Sequence, residues 1–576
     1  MNTYVLDCEC YVNYFLILAK HVGTGEVVRV TSRDWFNGKT VVTFNGNGYD
    51  IPLISMAFNG ADLATLKKAS DRIIVGGLKP WEVEREFGFE RMVIDHIDLI
   101  EVSPGIAGLK TYGGRLHSRK LQDLPIAPDA TLTFDQMRQI ELYCANDLQT
   151  TVDLYNKLKP QIDLRVSMSA EYGIDLRSKS DAQIAEAVIR KEVERLKGHR
   201  VYRPELDPNY TFKYKAPEFV RFLSAGMRKV LDIVTSSGFT LGGEGQVLLP
   251  RVLESMHIRI GRGVYRMGIG GLHSSESSVS YKSHATKRIV DRDVTSYYPS
   301  IILTQGLYPT HLGTEFLQVY QGLVDRRIEA KRKGDSVTAD ALKICVNGSF
   351  GKLGSMWSVL YSPDLLIAVT LTGQLSLLML IEALDAVGIE VVSANTDGVV
   401  SVVRADQEDL FAAVVHNWEV VTQLNTEETQ YEALYSKDVN NYIAVKADGT
   451  VKTKGLYATD GLAKNPTCSV CVDAVIAYVT KGTPVEATIR ACTDMTKFVT
   501  VRQVKGGAVF CGTPIGKTVR WYYADSGTHI AYLTNGNKVP KSEGAKPLME
   551  LGGLMTDIDY DWYVNEANAM LQVIGA

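Results

Sequence analysis

The sequence predicts an α/β multidomain fold, and three features carry that expectation. A length of 576 residues is more than one hydrophobic core organises, so several domains are expected. Residues 4 to 160 alternate short β-prone runs with helical stretches. Apolar content of 45% with 22% charged residues is that of a globular chain able to build real cores.

Taken in order, Tyr4–Leu6, Tyr14–Ala19 and Val41–Phe44 are the first β runs. Ser180 to Leu196 has helical spacing. Arg200 to Pro217 is rich in Pro, Tyr and basic residues and reads as a linker. A Gly-rich stretch from Gly261 to Gly271 precedes a β run into Asp293. A helical hairpin to about Gly354, a long helix and a β-hairpin around Asp397 complete the pattern. Leu365 to Leu384 is the most apolar stretch. Its Thr370, Thr372, Gly373, Gln374 and Ser376 make it a core helix rather than a membrane span, so no membrane partner is expected.

Net charge is −4, but the distribution is uneven. From Lys437 to Lys546 there are 15 Lys and Arg against 8 Asp and Glu, so this segment carries +7 and the remainder −11. A basic segment in an acidic chain is a footprint for nucleic acid. Eight cysteines show no paired metal spacing. Cys468-Ser-Val-Cys471 stands alone, which favours structural thiols over zinc and a reducing, cytoplasmic setting.

Asp7 and Glu9 lie two apart in a β-prone run. Period-2 alternation puts both on one face and Cys8 and Cys10 on the other. Such neighbours repel unless a cation lies between them. Asp50, closing Asn45-Gly-Asn-Gly-Tyr-Asp50, and Asp147 can complete a four-carboxylate cage. A cage of that kind suits two hard divalent ions roughly 4 Å apart, the arrangement for phosphodiester hydrolysis. Tyr143 precedes Asp147 by one helical turn, where its hydroxyl can orient a water.

A second set follows. Asp293 ends a β run and leads into Ser296-Tyr297-Tyr298-Pro299, a rigid place for a metal ligand. Asp291 shares its face and is a rival ligand. Asp397-Gly398 is a strong type I′ hairpin signal, and a hairpin tip can hold a carboxylate against Asp293. Lys343 and Asn347 share a helical face, with Gly351 a turn further on. Arg327 and Lys331 repeat the spacing on the preceding helix, Gly334 is a stop, and Asp335 or Ser336 an N-cap. Folded as an antiparallel pair, these helices present three cations suited to a triphosphate.

In this order the motifs resemble family B DNA polymerases. The first three sets are similar to that family's 3′–5′ exonuclease motifs. Asp293–Ser300 is similar to polymerase motif A, Lys343–Gly351 to motif B, and Asn395-Thr396-Asp397-Gly398 to motif C. Tyr265-Arg-Met-Gly-Ile-Gly270-Gly271 resembles the Tyr/Gly-Gly element between the two activities.

The resemblance implies an RNase H-like exonuclease domain (1–195) and a connecting segment (196–262). A right-hand polymerase then follows: palm at 263–315 and 355–439, fingers at 316–354, thumb and C-terminal segment at 440–576. It implies two Mg²⁺ per site, with Mn²⁺ as a substitute, on Asp7, Glu9, Asp50 and Asp147 and on Asp293 and Asp397. Tyr143 would assist the water. Arg327, Lys331, Lys343 and Asn347 would bind the dNTP, and Tyr298 would be the gate against a ribose 2′-hydroxyl. Tyr265, Gly270, Gly271, Thr396, Tyr442 and Lys454 would meet primer-template DNA, with Asn45, Asn395 and Gly351 supporting.

Departures from the family pattern are Asn395 for the first motif C aspartate, Gly348 for Ser, Phe350 for Tyr, and Asn440-Asn441-Tyr442 for a Lys-x-Tyr element. The first motif begins at residue 7, and only 50 residues separate Asp293 from Lys343. Both points imply a minimal phage-type enzyme that extends nucleic-acid primers without built-in strand displacement. Its candidate partners are a helicase, primase, single-strand-binding protein or processivity factor in a bacterial host. The competing expectations are a 3′–5′ exonuclease with a degenerate polymerase half, motivated by Asn395, and a non-catalytic DNA-binding scaffold.

Overall fold

The computed structural model describes residues 2–207, 209–459, 461–552 and 555–576. Among these are seventeen α-helices and four sheets, an α/β composition. The chain clusters into two compact units. One contains residues 1–180, 459–474 and 483–567, and the other 181–458, 475–482 and 568–576.

The first unit opens with a five-stranded sheet. Its strands are β1 (Thr3–Tyr11), β2 (Tyr14–His21), β3 (Val27–Arg29), β4 (Thr40–Thr43) and β5 (His96–Asp98), in the order β3-β2-β1-β4-β5. The alternation read in β1 is real. Leu6, Cys8 and Cys10 pack into a core with Ile17, Leu53 and Met56, while Val5 and Tyr11 pack on the other face with Cys144 and Leu148 of the helix Phe134–Lys157. Asp7 and Glu9 therefore look toward that helix.

A three-stranded sheet, β6 (Thr211–Lys213), β7 (Gly238–Leu241) and β8 (Val247–Leu248), and the helix Ala225–Ser236 occupy the span expected to be a connecting segment. The second unit is organised by a ten-stranded antiparallel sheet. Its strands are β9 (Ile258–Ile260), β10 (Gly263–Arg266), β11 (His273–Ser274), β12 (Ser277–Lys282), β13 (Lys287–Val294), β14 (Glu390–Asn395), β15 (Gly398–Arg404), β16 (Thr426–Asp438), β17 (Asn441–Lys446) and β18 (Val451–Lys454). The order is β18-β17-β16-β13-β15-β14-β11-β10-β9, with β12 on β16.

Behind this sheet lies the helix Pro363–Ala386. It is long and apolar enough to cross a membrane by length and composition, but its side chains are buried within the protein. Its polar residues have partners: Gln374 exchanges hydrogen bonds with the Gly268 backbone at 2.8 and 3.0 Å, and the Thr372 hydroxyl meets that of Tyr214 at 2.8 Å. A helix that must span a core and hold neighbouring loops needs these polar groups satisfied.

Residues 459–474 and 483–567 return to the first unit through β19 (Thr500–Phe510), β20 (Thr513–Thr528), β21 (Ala531–Tyr532) and β22 (Ala545–Pro547). Gly114 approaches Val501 so closely that a Cβ would lie 2.5 Å from its Cγ1. Arg520 is fully buried and donates to the carbonyls of Ser118 at 2.9 Å and Leu548 at 2.7 Å. These long-range contacts cut across the segments read from the sequence. The boundary expected at 195 falls inside the helix Asp181–Lys197, and 440–576 is divided between the units, as is its basic stretch.

All eight cysteines are free thiols. Cys468 meets the Thr500 hydroxyl at 3.1 Å and Cys471 the Tyr563 carbonyl at 3.5 Å, which accounts for both as structural.

Candidate active sites

In the first unit the acidic residues converge around β1. The Asp7 and Glu9 carboxylates and the Cys144 thiol have ligand atoms within 4.8 Å of one another. Burial, then the charges of Asp50, Glu9 and Asp147, push the Asp7 carboxyl well above its usual range. Burial and the Asp147 charge push Glu9 up to about 8. Asp50 starts the helix Asp50–Phe58 and is 3% exposed. It accepts the Cys8 N–H at 2.9 Å, and burial lifts its carboxyl to about 6 against that bond. Four acids within mutual electrostatic reach, all offering oxygen, fit hard divalent cations.

Asp147 and Tyr143 stand one turn apart, as their spacing predicts, and both meet a residue that sequence reasoning missed. The Lys110 ammonium lies 2.7 Å from each Asp147 oxygen and 2.6 Å from the Tyr143 hydroxyl. It also sits 4.2 Å from the centre of the Tyr143 ring. Burial and the Asp147 charge raise the Tyr143 phenol, so it stays protonated and can donate.

A second missed residue is Asp98, 1% exposed at the end of β5. Its carboxylate accepts the backbone N–H groups of Asn45 at 2.7 Å, Asn47 at 2.9 Å and Ile100 at 3.2 Å. Asn45 itself is left-handed at φ 65°, which an Asn tolerates better than most residues. Asp98 thereby fixes the turn that delivers Asp50.

In the second unit Asp293 ends β13 opposite Gly398, the first residue of β15. The expected type I′ turn at Asp397-Gly398 is corrected. The loop residues are Thr396 and Asp397, Thr396 is the left-handed one at φ 53°, and Gly398 lies in the strand. Gly398 answers a packing need: a Cβ there would sit 2.8 Å from Asp293 Oδ1 and 3.0 Å from the Arg292 carbonyl. That approach brings Asp293 and Asp397 together, both open to solvent. Partial desolvation, then the charges of Asp397 and Asp291, push Asp293 up to about 6, and partial desolvation by the cavity walls raises Asp397.

Asp291 is not an open rival ligand. It is 7% exposed, accepts the Tyr431 hydroxyl, and pairs with Lys452 at 3.4 Å. Asn395 donates its amide to the Val439 carbonyl at 2.9 Å and accepts the Thr396 hydroxyl at 3.2 Å. An aspartate would set an oxygen against that carbonyl, so the departure at 395 has a local structural reason.

The helices Glu315–Lys333 and Ser336–Lys352 form the expected hairpin, closed by left-handed Gly334 and capped by Asp335, whose carboxylate accepts the Thr338 N–H at 3.0 Å. Arg327 donates to the Ser296 hydroxyl at 3.1 Å, linking the hairpin to the end of β13. Lys331, Lys343 and Asn347 are exposed. Gly348 has a packing reason as well: a Cβ would lie 2.7 Å from the Asp181 carbonyl, whereas Gly351 faces open space.

The Tyr298 ring stacks on Phe350 at 4.3 Å, and its hydroxyl donates to the Gly270 carbonyl. Gly271 packs on Thr396, where a Cβ would come within 3.0 Å of Cγ2. Tyr442 and Lys454 line one cavity of about 290 Å³ with Asp293 and Asp397. Tyr265 is not brought to this site: it is 1% exposed, facing the core, and offers no surface to DNA.

No family model matches the chain, and no curated protein does. Among solved structures the chain is similar to a family B DNA polymerase from the hyperthermophilic archaeon Pyrobaculum calidifontis. The identity is 14% and the TM-score 0.41, over 99% of this chain and 77% of that one.

No local sequence signal marks Lys110, Asp98 or Lys452. Each reaches its site by packing between elements far apart in the chain.

Proposed function

We propose that this chain is a DNA-templated DNA polymerase with a 3′–5′ proofreading exonuclease, of the small phage-type family B kind, working in the cytoplasm of a bacterial host. One observation carries the reading. Asp7 and Glu9 lie on one face of β1 within electrostatic reach of Asp50 and Asp147, and Asp293 lies opposite Gly398, next to Asp397, so the acidic motifs gather into two carboxylate sets.

In the polymerising centre Asp293 and Asp397 would hold two divalent cations, Mg²⁺ or Mn²⁺. Bound there, the ions supply the Lewis acidity that activates the primer 3′-hydroxyl and stabilises the leaving pyrophosphate. Lys331, Lys343 and Arg327 neutralise the triphosphate, and Asn347 lines its pocket. The Tyr298 ring, held by Phe350 and the Gly270 carbonyl, fills the space of a 2′-hydroxyl. Tyr442, Lys454, Gly270, Gly271 and Thr396 face the primer-template.

In the editing centre Asp7, Glu9, Asp50 and Asp147 would hold the second pair of ions. Tyr143 donates toward the attacking water, and Lys110 holds Tyr143 and Asp147 in place. A helicase, primase, single-strand-binding protein or processivity factor would act outside this chain.

The test is a labelled primer-template with magnesium. The primer should shorten without dNTPs and lengthen to the template end with them. Shortening under both conditions would leave only the nuclease, and no change under either would leave a binding protein.

A further inference from the structure

The first unit carries a cavity of about 480 Å³ that the editing chemistry does not use. That size lies within the roughly 300–1,000 Å³ that takes a small molecule. Part of its wall is apolar, including Val93, which is 99% exposed. The rest is polar and carries two half-buried cations, Arg91 and Lys179.

The charges of that wall are not closely paired. Its carboxylate, Asp175, is gripped at both oxygens by Arg177, at 3.0 and 2.9 Å. Arg91 meets Glu84 only at 3.7 Å, and Lys179 makes no ion pair among the described residues. His96 adds no charge at neutral pH. Burial, then the charges of Arg91 and Arg177, push its imidazole down to about 4, and its Nε2 lies 2.7 Å from the Thr43 hydroxyl. Two such cations beside a neutral ring make a place for one anion of phosphate size.

The same wall touches the turn that delivers Asp50. Asn47 donates its backbone N–H to Asp98, and the Ser178 hydroxyl accepts the Asp98 N–H at 2.9 Å. Ile51, next to Asp50 in the chain, lines the cavity itself. Arg91 donates to the Asn47 amide oxygen at 2.7 Å, so an anion that draws Arg91 away frees that side chain.

We propose that this cavity binds a free nucleoside 5′-monophosphate, with its phosphate on Arg91 and Lys179 and its base on the apolar wall, and that the bound nucleotide slows editing. This rests on the nuclease reading above. That activity releases nucleoside 5′-monophosphates, so a site for one lets excision restrain itself.

Binding is measured first, by titration calorimetry on full-length Asp7→Ala/Glu9→Ala protein in EDTA, which disables the editing centre as a phosphate site. The probes are deoxyadenosine 5′-monophosphate, deoxyadenosine and inorganic phosphate. The monophosphate should bind at one site, and the other two at least ten-fold more weakly. Lys179→Gln and Arg91→Gln should each weaken the monophosphate about ten-fold. One variant on each cation keeps the test valid if Arg91→Gln disturbs the turn. Lys343→Gln should change nothing, which separates this site from the triphosphate cations.

Rates are measured next, as degradation of a labelled primer with magnesium by the chain with its editing carboxylates intact. The monophosphate should slow it. Lys179→Gln should degrade at the same basal rate and resist the slowing. Slowing that persists in Lys179→Gln would be competition at the editing centre and would overturn the proposal. So would monophosphate binding that neither variant weakens, or equally tight binding of inorganic phosphate. A protein that binds the monophosphate but degrades no primer would instead sink the nuclease reading, and calorimetry would still decide the cavity's ligand.

Discussion

The two acidic centres solve the same electrostatic problem in opposite ways. In the first unit four carboxylates are crowded beside β1, and the lysine among them, Lys110, is spent on Asp147. In the second unit Asp293 and Asp397 are open to water, and the third acid, Asp291, is paired with Lys452 and accepts the Tyr431 hydroxyl. Enclosed charge costs far more than exposed charge. The acidic set beside β1 should therefore depend on bound cations for stability more than the set at Asp293 and Asp397.

The comparison breaks first at the close contacts that build each centre. Gly398→Ala should push β15 off Asp293 and lower extension about 100-fold, the scale of an ångström-sized displacement of catalytic groups. Degradation by the same protein should be unchanged, and a nuclease defect of equal size would show general misfolding. The mirror experiment is Asp98→Ala. It strips the acceptor from two backbone N–H groups of the turn before Asp50, those of Asn45 and Asn47, and nuclease rate should fall about 10- to 100-fold with extension spared.

The stability side of the comparison is read with pH. The Glu9 carboxyl is pushed from 4.5 to about 8, so the folded protein keeps a proton that the unfolded chain has lost. Its contribution is fully present below pH 4.5 and is lost as pH rises through about 8. Asp293 completes the corresponding loss by about 6. In EDTA the melting temperature should fall between pH of about 6.5 and about 9, and fall less in Glu9→Gln, and Mg²⁺ should flatten the slope. An identical slope in Glu9→Gln would remove that residue from the account.

The smallest effect concerns Asn395. Asn395→Asp introduces a carboxylate beside Asp397, but loses the bond to Val439 and faces a carbonyl. It should cost about 1–3 kcal/mol in denaturant unfolding and give no faster extension. Faster extension would mean that the asparagine is a catalytic compromise.

How much of this was legible follows from the range of the interactions. The shared face of Asp7 and Glu9, the turn between Tyr143 and Asp147, and the helical hairpin closed at Gly334 and Asp335 are set by strand and helix periods. They could be read from adjacent residues. Gly398 was legible as a hairpin glycine but for another reason, since its role is contact with β13 rather than a left-handed backbone. Lys110, Asp98 and the Asp291–Lys452 pair were not legible, because each joins elements 33 to 161 residues apart. Tyr265 is implied as a DNA contact by the likeness of Tyr265–Gly271 to the Tyr/Gly-Gly element, and its burial has no signature in that local pattern. The segment from 196 to 262 read as a connector because its strands are short, two to four residues each.

The central claim is that one chain carries two independent phosphoryl-transfer centres. The most direct test compares Asp397→Ala with Asp7→Ala/Glu9→Ala on one labelled primer-template with magnesium and all four dNTPs. The account predicts that the first protein only degrades the primer and the second only extends it, to the end of the template. Loss of both activities in either protein, or an intact and unextended primer with the second, would contradict it.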